Sequence, residues 1–314
     1  MFSVEAEGLT RKFNTFTAVD HLNLQISEGE VFGLLGPNGA GKTTTLRMLA
    51  CLITPTEGTA TIAGYDIHKD PLKVRQSVGI LTENPSLYER LTAFENMDFF
   101  AEAYGISNKQ ERHDRIKEVL EFLNLWNRRN DKVATFSKGM KQKLAITRAI
   151  VHKPAILFLD EPTAGLDPES AKEIRDLMET LSQHEKRTIL LCTHHLEDAE
   201  KLCQRVMIMN KGKCITVDSP DGLREKISGQ PTIQITLKTL TPNIVATAKT
   251  QNQVVDVKVN QQDSSLMIKV ENANSATPEI VRAIVEAQGK ILSVNLQRPT
   301  LEEAYLKLIR KEKP

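Results

Sequence analysis

Nine consecutive residues constrain this chain more than any others: Gly36-Pro37-Asn38-Gly39-Ala40-Gly41-Lys42-Thr43-Thr44. They satisfy the pattern G-x-x-x-x-G-K-[ST] in full. Upstream, Glu30-Val31-Phe32-Gly33-Leu34-Leu35 reads as a short buried strand. Downstream, Thr43 to Leu52 reads as a helix with Leu46 and Leu49 apolar. Strand, glycine turn and helix form the setting this pattern needs to cradle phosphate. The glycines let the backbone curl until several N–H groups point into one concavity. The helix N-terminus adds unpaired N–H groups and the positive end of its dipole. Lys42 then reaches the terminal phosphates, and the Thr43 hydroxyl is placed to hold Mg²⁺.

The 314 residues suffice for two domains. Lys+Arg 41 against Asp+Glu 40 is nearly neutral, which argues against a partner held by bulk charge, so no nucleic acid is expected. No run approaches the roughly 18 apolar residues that a membrane span requires. The acidic start Met1-Phe2-Ser3-Val4-Glu5 carries no signal-peptide pattern, so a cytoplasmic protein is expected. Cys51, Cys192, Cys203 and Cys214 form no C-x-x-C pair and are read as idle thiols.

Val4 to Phe13 reads as an edge strand, and Ala18 to Ile26 alternates as a half-buried strand. Further strands are expected over Thr59–Ala63 and Ser77–Leu81. A helical block follows, about residues 84–152. Thr92 and Glu95 form a capping box for a helix to about Tyr104. A second helix runs from about Gln110 to Leu125, and Ser137 caps a third to about Val151. Ala155 to Asp160 returns as a buried strand. Asp167-Pro168-Glu169 opens a helix with a cap, a proline and an acid. Thr188 to Cys192 is a buried strand, placed at a sheet edge. Two short strands follow around Val206–Met209 and Lys213–Val217.

The pattern changes after Asp218, and Ser228-Gly229-Gln230-Pro231 reads as a linker. Beyond it, Ile233/Ile235/Leu237, Val255/Val257/Val259, Leu266/Ile268/Val270 and Leu292/Val294/Leu296 alternate as strands. Helices are expected over Pro242–Lys249, from Thr277-Pro278 to Gly289, and after Thr300. Strand–helix–strand–strand–helix–strand is the ferredoxin-like order. The expected domains are 1–226 and 227–314.

Asp160-Glu161 ends a buried strand, so its carboxylates can face the phosphate loop across neighbouring parallel strands. Asp160 suits a Mg²⁺ ion, and Glu161 suits activation of an attacking water. His194 follows another such strand. His195 is read as merely opening the next helix, because neighbours in sequence point apart and no acid set is seen to join the pair.

In their order these motifs resemble the ATP-binding cassette (ABC) ATPase family over about residues 4–225. Phe13 matches the aromatic that stacks on adenine. Gly36 to Thr43 matches Walker A, and Phe136-Ser137-Lys138-Gly139-Met140 matches the signature loop. Ile156 to Asp160, with Glu161 after it, matches Walker B and the catalytic acid. Gly165-Leu166-Asp167 resembles the D-loop, and Thr193-His194 the switch histidine. The signature makes the resemblance specific, since Walker A is shared by many nucleotidases. Lys138 and Met140 depart from the usual glycine and glutamine, and Glu83 stands where the family usually has glutamine.

The resemblance implies an α/β fold: a P-loop nucleotide-binding domain of mixed sheet plus helical subdomain, followed by a small α+β ferredoxin-like domain. It implies ATP and Mg²⁺ as cofactors. Gly36, Pro37, Asn38, Gly39, Ala40, Gly41, Lys42, Thr43, Thr44 and Phe13 would bind ATP. Thr43, Asp160 and Glu83 would face the metal, with Glu161 and His194 catalytic. Ser137 and Gly139 would contact the nucleotide of a second copy, so a homodimer or paired cassette is implied in the ATP-bound state. Leu81 to Thr92, the signature and the closing Thr300-Leu301-Glu302-Glu303-Ala304-Tyr305 resemble ATPase subunits of multidrug-, antibiotic- or sodium-export systems. The implied partner is an integral membrane permease docked at Asn84 to Thr92, with the chain peripheral on the cytoplasmic face of the membrane. The alternatives are a soluble ABC ATPase acting on ribosomes or nucleic acid, and a ligand-sensing C-terminal module to which the ATPase is secondary.

Overall fold

A computed structural model describes residues 2–227, 231–297 and 300–311. The expected linker residues Ser228, Gly229 and Gln230 lie outside the described residues. The chain divides into two compact units, Met1–Pro220 and Asp221–Pro314.

The first unit begins with β1 (Phe2–Phe13), β2 (Phe16–Ser27) and β3 (Val31–Leu35), followed by α1 (Lys42–Leu49), β4 (Glu57–Ile62), β5 (Tyr65–Asp66), α2 (Pro71–Ser77) and β6 (Val78–Leu81). A helical block follows: α3 (Ala93–Ala103), α4 (Lys109–Phe122) and α5 (Lys138–Ile150). The chain then returns through β7 (Ile156–Asp160), α6 (Pro168–Gln183), β8 (Thr188–Thr193), α7 (Leu196–Leu202), β9 (Arg205–Asn210) and β10 (Lys213–Asp218). These strands form two sheets, in the orders β2-β1-β4-β5 and β10-β9-β3-β8-β7-β6.

Two sequence expectations change here. β1 is not an edge strand, because β4 pairs with its second side, Val4 opposite Ile62 and Ala6 opposite Ala60. β8 is not at a sheet edge: it lies between β3 and β7, parallel to both. The phosphate-loop strand and the carboxylate strand are therefore separated by the strand that ends in Thr193. All five residues of β3, all five of β7 and all six of β8 are buried. Covered on both faces, such strands read as continuous apolar runs. Their carboxyl ends open on one side of the sheet, where α/β sites form.

Local chemistry sets the helical block. Thr92 accepts from the Glu95 backbone N–H at 3.1 Å, and Glu95 accepts from that of Thr92 at 2.7 Å, which completes the capping box. Asn108 caps α4 with Oδ1 accepting from two backbone N–H groups. Ser137 Oγ accepts from Met140 N–H at 3.2 Å, so the signature serine starts α5.

The second unit contains β11 (Thr232–Leu237), α9 (Pro242–Lys249), β12 (Val254–Asn260), β13 (Ser265–Val270), α10 (Ala273–Glu286), β14 (Ile291–Gln297) and α11 (Leu301–Lys311), with α8 (Pro220–Ile227) at the division. Its antiparallel sheet has the order β12-β13-β11-β14, the ferredoxin-like arrangement. Ile233, Ile235, Leu266 and Ile268 from the sheet meet Ile244, Ile280 and Ile284 from the helices in one core. α10 starts a turn before the expected Thr277-Pro278. Asn272 caps it through Asn274 and Ser275 N–H, and Pro278 lies inside the helix. The proline forgoes a hydrogen bond to the carbonyl of Asn274, which is exposed and can be served by water. Among the described residues no helix is long and apolar enough to cross a membrane.

Candidate active site

The phosphate loop runs from the end of β3 to the start of α1. Gly41 takes φ 106°, and a Cβ there would lie 2.5 Å from the Ala18 carbonyl oxygen. Gly36 is equally confined, since a Cβ would lie 2.5 Å from the Met209 carbonyl oxygen on β9. Both positions need glycine, so the curl of the loop is fixed by its neighbours as well as by its own sequence. Lys42 is buried, and its ammonium donates to the carbonyls of Gly36 at 2.7 Å and Pro37 at 3.3 Å. A cation is thereby held at the loop by the loop's own carbonyls.

A cavity of about 460 Å³ opens above this loop. Asn38, Gly39, Ala40, Gly41, Lys42, Thr43 and Thr44 line it, with Glu83, Glu161 and His194 on the far side. Gly36 and Pro37 form the base of the loop and meet Lys42 instead. Asp160 lies just below, only 1% exposed. Burial raises its carboxyl above the usual range, partly opposed by the Thr43 hydroxyl, and its Oδ1 has no hydrogen-bond partner. An orphaned buried carboxylate oxygen beside a hydroxyl, with Glu83 above, is an all-oxygen donor set of the kind a hard divalent cation takes.

Glu161 is placed by an unusual backbone. Its φ is 50°, left-handed for a non-glycine residue, and its N–H donates to the Cys192 carbonyl at 2.8 Å. The side chain then meets two hydroxyl or ring partners from the end of β8. His194 Nδ1 lies 2.8 Å from Oε1, and Thr193 Oγ1 donates to Oε2 at 3.4 Å. Lys42 Nζ is 3.9 Å from the same Oε1. Three expected site residues from three separate segments thus converge within ion-pair distance. Chemically, the carboxylate can accept a proton from a water in the cavity, oriented by the imidazole, above a fixed cation.

Other expected residues are elsewhere. Ser137 and Gly139, at the start of α5, do not line this cavity. Lys138 lies against the expected D-loop, since a Cβ on Gly165 would come within 2.2 Å of its ammonium. Phe13 is 43% exposed at the tip of the β1–β2 hairpin, with the Arg11 guanidinium over its ring at 4.5 Å. Phe16, its cross-strand partner, lines the cavity and Phe13 does not.

Sequence reasoning overlooked three features. Phe16 carried no signal beyond being a second aromatic at the turn. Asp198 sits in the first turn of α7 and reads as an ordinary dipole acid, yet it is 1% exposed and binds Thr163 and Arg175. His195 was expected to point away from His194, but the chain bends at His194 and the two rings lie 4.2 Å apart. Glu161 joins them, so an acid does accompany the pair.

Residues 19–164 match the family model described as ABC transporter, and residues 219–309 match that of the ATP-binding protein DrrA1-3-like, C-terminal domain. The linearmycin resistance ATP-binding protein LnrL of Bacillus subtilis (strain 168) is 33% identical over 305 residues, covering 97% of both chains. The bacitracin transport ATP-binding protein BcrA of Bacillus licheniformis is 34% identical, covering 98% of this chain and 97% of that one. Among solved structures, the dimeric post-hydrolysis state of the ATP-binding cassette MJ0796 bound to ADP and Pi aligns with a TM-score of 0.64 at 28% identity. That alignment covers 69% of this chain and 98% of the other.

Proposed function

This chain belongs to the ABC transporter family as an ATP-binding, ATP-hydrolysing subunit, and we propose that it energises a separate membrane permease that exports a drug- or antibiotic-like compound. The observation that carries this reading is the division of the expected nucleotide contacts. Lys42, Glu161 and His194 share one cavity, whereas Ser137 and Gly139 lie outside it. A second copy, set head to tail, would bring its own capped helix N-terminus to the phosphates. The site is then complete only in a dimer, and ATP is what closes it.

In this reading Asn38 to Thr44 cradle the phosphates, Lys42 neutralises their charge, and the adenine stacks at the hairpin tip on Phe13, with Phe16 beside it. Thr43, Asp160 and Glu83 would hold Mg²⁺, which would supply charge neutralisation at the phosphate oxygens. Glu161 takes the proton of the attacking water. His194 holds the Glu161 carboxylate and senses the γ-phosphate. Loss of that phosphate reopens the dimer, and the movement passes to the permease through Asn84 to Thr92. The chain would sit peripherally on the cytoplasmic face of the membrane, and the ferredoxin-like unit would serve as an accessory domain. The names of LnrL and BcrA support an antibiotic-type cargo.

The test is an affinity capture of the tagged chain from detergent-solubilised native membranes, with mass spectrometry of what it retains. A polytopic permease in stoichiometric amount is the expected result. Ribosomal or DNA-bound proteins in its place would overturn the transporter reading.

A further inference from the structure

We propose that Glu161, His194 and His195 form a binding site for a borderline transition-metal cation such as Zn²⁺, distinct from the oxygen-lined Mg²⁺ position, and that filling it arrests hydrolysis. One ligand atom from each residue lies within 4.8 Å of the others, the one such His/Cys/Asp/Glu group among the described residues. The tightest pair is His194 Nδ1 with Glu161 Oε1 at 2.8 Å, and the two imidazole rings are tilted by 35° with centroids 4.2 Å apart. Consecutive residues present both rings to one acid because the chain leaves β8 in a bend. The His195 N–H donates back to Thr193 Oγ1 at 2.9 Å, and His195 then begins α7 with no side-chain capping bond to occupy its ring.

The donor set decides the class of ion. Two imidazoles and one carboxylate suit Zn²⁺ and its neighbours, while Mg²⁺ demands six oxygens in an octahedron. Tetrahedral zinc with bonds of 2.0–2.1 Å places its ligand atoms about 3.3 Å apart, so the Glu161–His194 pair at 2.8 Å needs to open slightly and the His195 nitrogen to move in by at most about 1.5 Å. His195, half-buried and without a side-chain capping bond, is the ring that has to turn, while the exposed His194 can follow it. Glu161 and His194 both line the cavity, so a water there can serve as the fourth ligand. Lys42, 3.9 Å from Glu161, opposes a second cation, but its ammonium is drawn aside by the Gly36 and Pro37 carbonyls.

The inhibitory consequence rests on the function proposed above: a metal on Glu161 occupies the oxygen that would accept the water's proton and takes His194 from its phosphate-sensing place.

The test titrates the full, nucleotide-free chain with Zn²⁺ against a chromogenic chelator, in a Cys214→Ser background because that thiol is exposed. One Zn²⁺ per chain is expected. His195→Ala should weaken it about 10- to 100-fold, leave basal Mg-ATPase unchanged, and relieve Zn²⁺ inhibition in parallel. Co²⁺ in place of Zn²⁺ should give visible d–d absorption that His195→Ala removes. Zinc binding that is absent, or that is equally tight in His195→Ala, overturns the proposal. His195-dependent zinc binding in a chain without Mg-ATPase activity would instead sustain the site and overturn the functional reading.

Discussion

Thr163 Oγ1 donates to Asp198 Oδ2 at 2.5 Å, and both residues are buried. Arg175 Nη1 donates to the other oxygen of the same carboxylate at 3.0 Å. One acid on α7 therefore ties the segment after Glu161 to α6. Gln142, on the signature helix, donates to the Pro162 carbonyl at 2.8 Å, one residue from Thr163. The expected catalytic segment, the signature helix and the helix after His194 are joined by polar contacts that bury almost completely. Polar networks of this kind are stabilising only when every member is satisfied, which makes each member costly to remove.

Asp198→Ala should destabilise the first unit by about 3 kcal/mol, the low end for breaking a buried charge pair, because Arg175 keeps some contact with solvent. Asp198→Asn should recover part of this by keeping the Thr163 hydrogen bond. Urea unfolding of the three proteins checks the order. Equal midpoints would mean that the network holds nothing.

Lys42→Ala should weaken ATP binding by about 1.5–3 kcal/mol, roughly 10- to 150-fold, the worth of a hydrogen bond to a charged group. Lys42→Arg should not rescue it, since the planar guanidinium does not fit between the Gly36 and Pro37 carbonyls that hold the ammonium. Nucleotide titration followed by fluorescence measures both, with circular dichroism to verify folding. Wild-type affinity in Lys42→Ala would refute the phosphate role of Lys42, and wild-type affinity in Lys42→Arg would refute the exclusion of a guanidinium by the two carbonyls.

What could be read from the sequence follows the range of the physics. The phosphate loop, the Thr92–Glu95 capping box and the Ser137 cap are local chemistry, and each sits where its residues said. The ferredoxin-like order was legible because half-buried antiparallel strands alternate visibly. Strand order was not: nothing within Thr188–Thr193 says that β3 and β7 flank it. The helix start at Asn272 was hidden by a Thr277-Pro278-Glu279 run that mimics one, in a chain where the earlier asparagine caps two N–H groups. His194 and His195 looked divergent because a bend, unlike a strand, has no fixed period. The burial of Asp198 depends on Thr163 and Arg175, both distant in sequence.

His152 should make the protein acid-sensitive. Its ring stacks on Tyr104 at 3.8 Å, its Nε2–H donates to the Val78 carbonyl at 3.1 Å, and its buried Nδ1 has no partner. Burial holds the imidazole neutral and pushes its pKa down from 6.5 to about 4. The unfolded chain takes up the proton first as pH falls, so stability is full above about pH 6.5 and declines toward pH 4, by roughly 3 kcal/mol in all. His152→Phe keeps the stack and cannot titrate. Its unfolding free energy should be lower at pH 7 and flatter between pH 6.5 and 4.5. A wild-type slope in the variant would show that another group is responsible.

Glu161→Gln should separate ATP binding from hydrolysis. The amide matches the carboxylate in size but cannot accept the water's proton, so hydrolysis should fall by about 10²–10⁴-fold. Binding should persist, since Lys42 and the loop N–H groups are untouched. The completed dimer would then accumulate, because no step remains to reopen it. Light scattering on size exclusion should give a dimer in ATP and a monomer in ADP. Adding Ser137→Ala should return the variant to monomer in ATP, because in the proposed dimer the lost hydroxyl would serve the opposite copy's site. A monomer in ATP for Glu161→Gln alone would count against the shared site, and a dimer that ignores Ser137 would mean the two copies meet through some other surface.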